Sequence, residues 1–273
     1  MESGSRRNTE YGTGSVTISG NHIANITNGI TSSDPANRGL IHGILAMDGS
    51  NTISNNIIRD LTISSANNAA DYSASVIGIA LDLTTAENQG ITGNKIYNLS
   101  NTCASFAGNV IGLYYNGPRA SSNVSRNFIH SLSVASSSTT SANIYGIKVQ
   151  NGETSYYNNI ISIGSSTSAN LYGIYERGDA LNDNSLYFNT VYVYGNVGTM
   201  TSRSYALYSA TSTNTRNFKN NILVNQRNSS AKSPGLPAAN YAAWFNYNVS
   251  TWVYKYRNYL GQHHWRSNGN RFH

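Results

Sequence analysis

Two carboxylates and a set of aromatic rings are the residues whose types and spacing could do chemistry. Asp48 and Asp82 fall five and four positions after Gly43 and Gly78, on neighbouring repeats. Brought side by side, two carboxyls can share a proton, act as the acid and base of a hydrolysis or elimination, or hold Ca²⁺. Asn116 and Gln150 continue that column and would add neutral oxygens. Glu176, Asp179 and Asp183 follow Ile174 in one stretch beside Arg177 and form the second candidate for Ca²⁺. Tyr114, Tyr145, Tyr172, Tyr175, Tyr205, Tyr208 and Trp244 stand at two fixed offsets from a recurring Gly or Ala. Rows of flat rings suit the apolar C–H faces of sugars. They also stabilise a sheet face through aromatic cross-strand pairs, and the sequence leaves both readings open.

Other chemistries lack their residues. His22, His42 and His130 occupy different columns or distant repeats, and no HxH or HExxH spacing exists, so a zinc site is not expected. There is no G-x-S-x-G elbow, no GxGxxG and no Walker motif. Cys103 is the one cysteine, which excludes an internal disulfide framework and a thiolate zinc cluster.

The elements that must position these groups show in the repeats. Seven segments share an apolar-x-x-Asn-x-apolar pattern centred on Asn21, Asn56, Asn94, Asn127, Asn159, Asn189 and Asn221, at gaps of 35, 38, 33, 32, 30 and 32 residues. A second marker reads LIHGIL, VIGIAL, VIGLYY, IYGIKV and LYGIYE, then weakens to SYALYS and NYAAWF. Its central residues are Gly43, Gly78, Gly112, Gly146, Gly173, Ala206 and Ala242. Two independent markers advance together at a period near 33 residues, which requires a repeat architecture. Apolar residues inside each marker alternate and are β-branched or aromatic, so the markers are strands. One strand-bearing coil per period, stacked on the next, buries a continuous core that no coil buries alone. The fold expected is all-β: a right-handed parallel β-helix, or β-solenoid, of about seven coils of roughly 33 residues. The Asn column fits a corner, where its amide bonds along the stack and tolerates left-handed geometry.

Composition agrees. The chain has 273 residues, of which 39 are Asn and 38 Ser, and 11% are charged. It lacks the residues that fill helix bundles, while 39% hydrophobic content excludes extended disorder. No run of 18 apolar residues is present. The net charge of +6 is largely local: residues 252–273 carry Lys255, Arg257, Arg266 and Arg271 and no acid, leaving 14 basic against 12 acidic residues elsewhere. A nucleic-acid surface is therefore not implied.

The ISGN-x-I, ITGNKIYNL and NNII units, alternating with IxGI units, resemble the right-handed parallel β-helix repeats of pectin-lyase-like proteins. The likeness is greatest to long β-helix regions of secreted or surface bacterial proteins. It covers roughly residues 14–248. It implies the fold and an extracellular or cell-surface setting. It implies no particular activity, because the class holds lyases, hydrolases, adhesins and tailspikes. No catalytic motif of any one enzyme family is matched.

The organisation expected is a leader at 1–13, a β-helix at 14–248 and a tail at 249–273 that is either a cap or foreign sequence. The repeats begin without a capping segment, so a longer exported chain is expected. Ile44, Ile79, Leu113, Ile147, Ile174, Leu207 and Ala243 should form the inward row, and the Tyr/Trp columns should face solvent. The function expected is a module binding polysaccharide or surface glycan. The alternatives are a hydrolase or lyase, acting on carbohydrate or on a small ester or lactone with or without Ca²⁺, and a structural spacer.

Overall fold

The computed structural model describes residues 8–10, 14–32, 39–135, 142–178, 182–196, 202–211, 214–228, 240–245 and 259–260. Within them every regular element is a strand, and the strands stack in parallel as a right-handed β-solenoid of about six turns. Seven Asn markers bound six periods, which is why the turn count falls one short of the marker count. The handedness is the one that twisted parallel strands impose on their crossovers. Among the described residues there is no helix, hence none long and apolar enough to cross a membrane.

Each coil begins with the Gly-centred strand: Ile41–Ala46, Val76–Asp82, the first part of Asn109–Ser125 and of Asn143–Tyr157, Asn170–Glu176, Ser204–Ser209 and Asn240–Phe245. These pair in order into one sheet, with Ile44, Ile79, Leu113, Ile147, Ile174, Leu207 and Ala243 in register. A short strand follows, such as Ser50–Ser54 or Gly90–Thr92, and then a corner. Beyond the corner a second sheet of eight strands runs from His22–Ser32 to Tyr259–Leu260. That last pair belongs to the expected tail, and it pairs with Ile222 and Leu223. The rest of residues 249–273, and the leader apart from Asn8–Glu10, lie outside the described residues.

The expected inward row is buried along its whole length. It faces Ile58, Ile96, Ile129, Ile161, Val191 and Leu223 of the second sheet, and Ile53, Ile91, Val124 and Leu186 of the short strands. The Gly column is a packing requirement. A Cβ on Gly112 would lie 2.5 Å from Ile129 Cγ2 and 2.6 Å from the Gly146 carbonyl oxygen. The two sheets close on the backbone there, and only at the last coils does Ala replace Gly.

The Asn column is a continuous hydrogen-bonded ladder. The backbone N–H and the Nδ2 of each Asn donate to the Oδ1 of the next at 2.9–3.1 Å, from Asn21 through Asn56, Asn94, Asn127, Asn159 and Asn189 to Asn221. From Asn56 onward a second Nδ2 hydrogen reaches a carbonyl one coil back, that of Ile18, Ile53, Ile91, Val124, Tyr156 or Leu186. From Asn56 to Asn189 the side-chain amide of each ladder residue is thereby fully satisfied. The left-handed residue of the corner is the one before the ladder Asn: Gly20, Asn55, Gly93, Arg126, Asn158, Phe188 and Asn220 have φ of 54–69°. The sequence placed that geometry on the ladder Asn itself. The turn must be completed first so that the next residue can aim its amide along the stack.

Candidate functional site

The outer face of the first sheet carries the two flanking columns. One, immediately before the Gly, runs His42, Ile77, Ile111, Tyr145, Tyr172, Tyr205, Tyr241. The other, two after it, runs Leu45, Ala80, Tyr114, Lys148, Tyr175, Tyr208, Trp244. Both point away from the main core, as expected, but they do not all meet solvent. The loop of residues 66–75 lies over the first coils and seals a second apolar cluster of Leu45, Ile77, Ala80, Ile111, Tyr114 and Tyr145. Tyr114, Tyr145 and Tyr205 are buried, which corrects their expected exposure. The covering loop is tied down by polar contacts. His42 Nε2 donates to the Tyr72 carbonyl at 2.7 Å, and Asn109 Nδ2 donates to the Ala69 carbonyl at 2.9 Å. Lys148 Nζ donates to the Ala70 carbonyl. The column before the Gly changes from Ile to Tyr where this cover ends, and an amphipathic ring replaces an aliphatic one.

Beyond the loop the rings form a herringbone array. Tyr145, Tyr172, Tyr205 and Tyr241 follow one another at 4.7–5.4 Å with planes 9–15° apart. Tyr175, Tyr208 and Trp244 follow at 5.3 and 4.2 Å with planes 6–10° apart. Rings of the two columns meet edge to face at 69–88°. Both geometries are favourable for aromatic quadrupoles, at about 0.5–1.5 kcal/mol per pair. Tyr172, Tyr175, Tyr208, Tyr241 and Trp244 remain partly exposed, so the array ends in a strip of rings along the surface. Burial raises the Tyr145 and Tyr172 phenols well above their ordinary range and the Tyr208 phenol to about 12. These hydroxyls stay protonated at neutral pH.

Lys148 interrupts the second column at the edge of the cover. Its ammonium lies 5.1 Å from the Tyr145 ring centroid and 5.9 Å from that of Tyr114. Burial lowers it to about 8, against a smaller opposing pull from Asp71.

The acidic candidates take different partners. Asp48 Oδ1 accepts from the Thr84 N–H at 3.0 Å and the Thr84 hydroxyl at 2.7 Å, and these bonds lower its carboxyl. Asp82 is in register with Asn116, whose Nδ2 donates to it at 2.6 Å. Its carboxyl is raised, first by burial and then by the charges of Asp71 and Asp48. The column does not continue to Gln150: a register shift pairs Asn116 with Asn151. Glu176 sits at the parity of Ile174 and points into the solenoid, fully buried. There it meets Arg216 Nε at 3.1 Å, the Asn184 amide at 3.1 Å and the Ser209 hydroxyl at 2.6 Å. Asp183 faces outward and accepts from the Thr215 N–H at 2.8 Å. Asp179 lies outside the described residues. Among the described residues no group of three His, Cys, Asp or Glu can hold a metal ion. Glu176, turned inward onto Arg216, and Asp183, turned outward onto Thr215, do not face a common cation.

One exposed feature was missed in the sequence. The residues following the ladder Asn form an outward row on the second sheet, in which Phe128, Ile160 and Ile222 are exposed. Tyr192 and Tyr194 stand beside them. The signal was available in the strict alternation after each Asn.

Fold and aromatic strip together define the class, a right-handed parallel β-helix repeat protein with a surface aromatic cluster. The chain matches no protein-family model, no curated protein and no solved structure.

Proposed function

We propose that this chain is an extracellular β-helix module that holds a polysaccharide or surface glycan along its first sheet, with the sugar chain parallel to the solenoid axis. One observation carries the reading: Tyr175, Tyr208 and Trp244 form a partly exposed row of near-parallel rings repeating at 5.3 and 4.2 Å. That spacing follows from coil stacking, and it is comparable with the length of one hexose in an extended glycan. Successive sugars can thus meet successive rings. Tyr172 and Tyr205 stand edge-on behind the row and fix its orientation. The likeness of the repeats to those of secreted pectin-lyase-like proteins agrees with a location outside the cell.

Calorimetric titration with oligosaccharides of increasing length tests this. Tyr208→Ala and Tyr175→Ala should each weaken binding about fivefold, the equivalent of roughly 1 kcal/mol per stacking contact. Tyr145→Phe, beneath the surface, should leave affinity unchanged. A parent chain that binds none of a broad glycan panel overturns the reading.

A second reading, hydrolysis or elimination on the same face, is favoured by the opposite displacement of two carboxyls on adjacent coils. Asp48 is lowered and Asp82 raised, the split that separates a base from an acid. Asp82→Asn should then abolish turnover in reducing-sugar and ester-hydrolysis assays and spare binding. A parent without turnover removes this reading.

A further inference from the structure

We propose that the outer face of the second sheet, at the corner that carries Phe188, docks on an anionic lipid surface. Every large hydrophobic side chain that is exposed among the described residues lies on the second sheet or on the corner leading into it, and none on the first sheet. Two neighbouring rows build the patch. In one, Lys95, Phe128, Ile160, Thr190 and Ile222 follow one another in register. In the other, Arg126, Asn158, Phe188 and Asn220 succeed one another at the corner, two residues earlier in each coil.

The corner row shows that the exposed ring is held at a cost. Its members have φ of 54–55°, where side chains other than Gly and Asn are disfavoured. Gly or Asn fills five of the seven equivalent corners, at Gly20, Asn55, Gly93, Asn158 and Asn220. Arg126 and Phe188 fill the other two. Packing does not offset the strain at Phe188, which is 57% exposed, more than any other large hydrophobic described. A bulky ring kept on a strained backbone and turned to solvent serves something outside the fold.

The charges around the ring identify the occupant. Lys95 and Arg126 are exposed and bound the patch on one side. On the other stands Lys219, whose carbonyl accepts from the Phe188 N–H at 3.1 Å. Residues 93–101, 126–134, 158–164, 188–194 and 220–225 contain no Asp or Glu. Apolar side chains flanked by cations, with no acid among them, are complementary to anionic headgroups over an acyl interior. A soluble anion would leave Phe188, Ile160 and Ile222 in water. A second copy meeting this face with its own would bring no acid to the cations. Docked on a bilayer, the protein turns its first sheet, and the aromatic strip, away from the membrane.

Sedimentation of the full chain with phosphatidylcholine vesicles, with and without phosphatidylglycerol, tests the proposal. The parent should bind the anionic vesicles and leave them as salt is raised. Phe188→Asn installs a residue that the corner accepts. It should melt at a higher temperature than the parent, yet bind about tenfold more weakly through loss of one buried ring. Lys95→Gln with Arg126→Asn should weaken binding to anionic vesicles about fivefold per charge removed, and leave binding to phosphatidylcholine alone unchanged. A parent that binds neither vesicle overturns the proposal. So does binding that ignores the phosphatidylglycerol content, or a Phe188→Asn variant that melts below the parent or binds as tightly. Self-association abolished by Phe188→Asn, without vesicle binding, assigns the face to a second copy instead.

Discussion

The Glu176 carboxylate and the Arg216 guanidinium meet at 3.1 Å inside the solenoid, on the register that holds Val149 one coil earlier. Both are buried, and Arg216 also donates to the Thr211 and Asn214 carbonyls. Removing one member leaves the other charge without its partner in a dry interior. Glu176→Val should therefore cost about 3–5 kcal/mol, whereas Glu176→Val with Arg216→Met should recover most of that loss. Urea unfolding of the two singles and the double measures the cycle. A neutral single substitution would show the pair to be hydrated in solution.

The ladder predicts a position-dependent cost. Asn127→Ala removes four side-chain hydrogen bonds from a buried column and strands the Asn94 donors, at about 3 kcal/mol or more. Asn21→Ala, at the exposed end, should cost about 1 kcal/mol. Denaturant midpoints at constant m-value distinguish the two.

The Gly column predicts a steric asymmetry along the axis. Gly112→Ala forces its methyl against Ile129 and the Gly146 carbonyl oxygen, and should lower stability by about 1–3 kcal/mol. Ala206→Gly, where the chain already carries the methyl, should instead lose stability through backbone entropy, by about 0.5–1 kcal/mol. Thermal melts of both variants check the contrast.

Stability should pass through a maximum in mildly alkaline solution. Lys148 is lowered in the fold to about 8 from an ordinary 10.5. Between those values the unfolded chain holds a proton that the folded chain has lost, so stability rises with pH. The buried phenols act oppositely. Tyr114, Tyr145, Tyr172 and Tyr208 are raised above 10, so beyond about pH 10 the unfolded chain releases protons the folded chain keeps, and stability falls. Lys148→Met should remove the rising limb and stabilise the protein at neutral pH, by on the order of 3 kcal/mol. Unfolding free energies from pH 7 to 11 test both limbs.

The fold was legible because two markers recur with one period, and inward alternation about each Gly identified the core row. The direction of the Tyr columns was legible from the same alternation, but their cover was not. Residues 66–75 are Ser, Asn, Ala, Asp and Tyr without periodicity, and nothing local announces that they fold back over His42, Ile77 and Ile111. Glu176 was legible and was passed over: it lies two residues after Ile174 and shares its parity. Proximity in sequence grouped it with Asp183, which points the other way. The different partners of Asp48 and Asp82, Thr84 for one and Asn116 for the other, depend on turn geometry after the strands, where alternation stops.

The ladder distances stay within 2.9–3.1 Å although the chain between successive members varies from 30 to 38 residues. Graduation and contour length are uncoupled: the molecule is a ruler whose marks ignore how much polypeptide lies between them. Corner loops can lengthen, shorten or accept a foreign peptide without moving any strand off register. The scaffold can thus vary its outer contents coil by coil while its pitch remains unchanged.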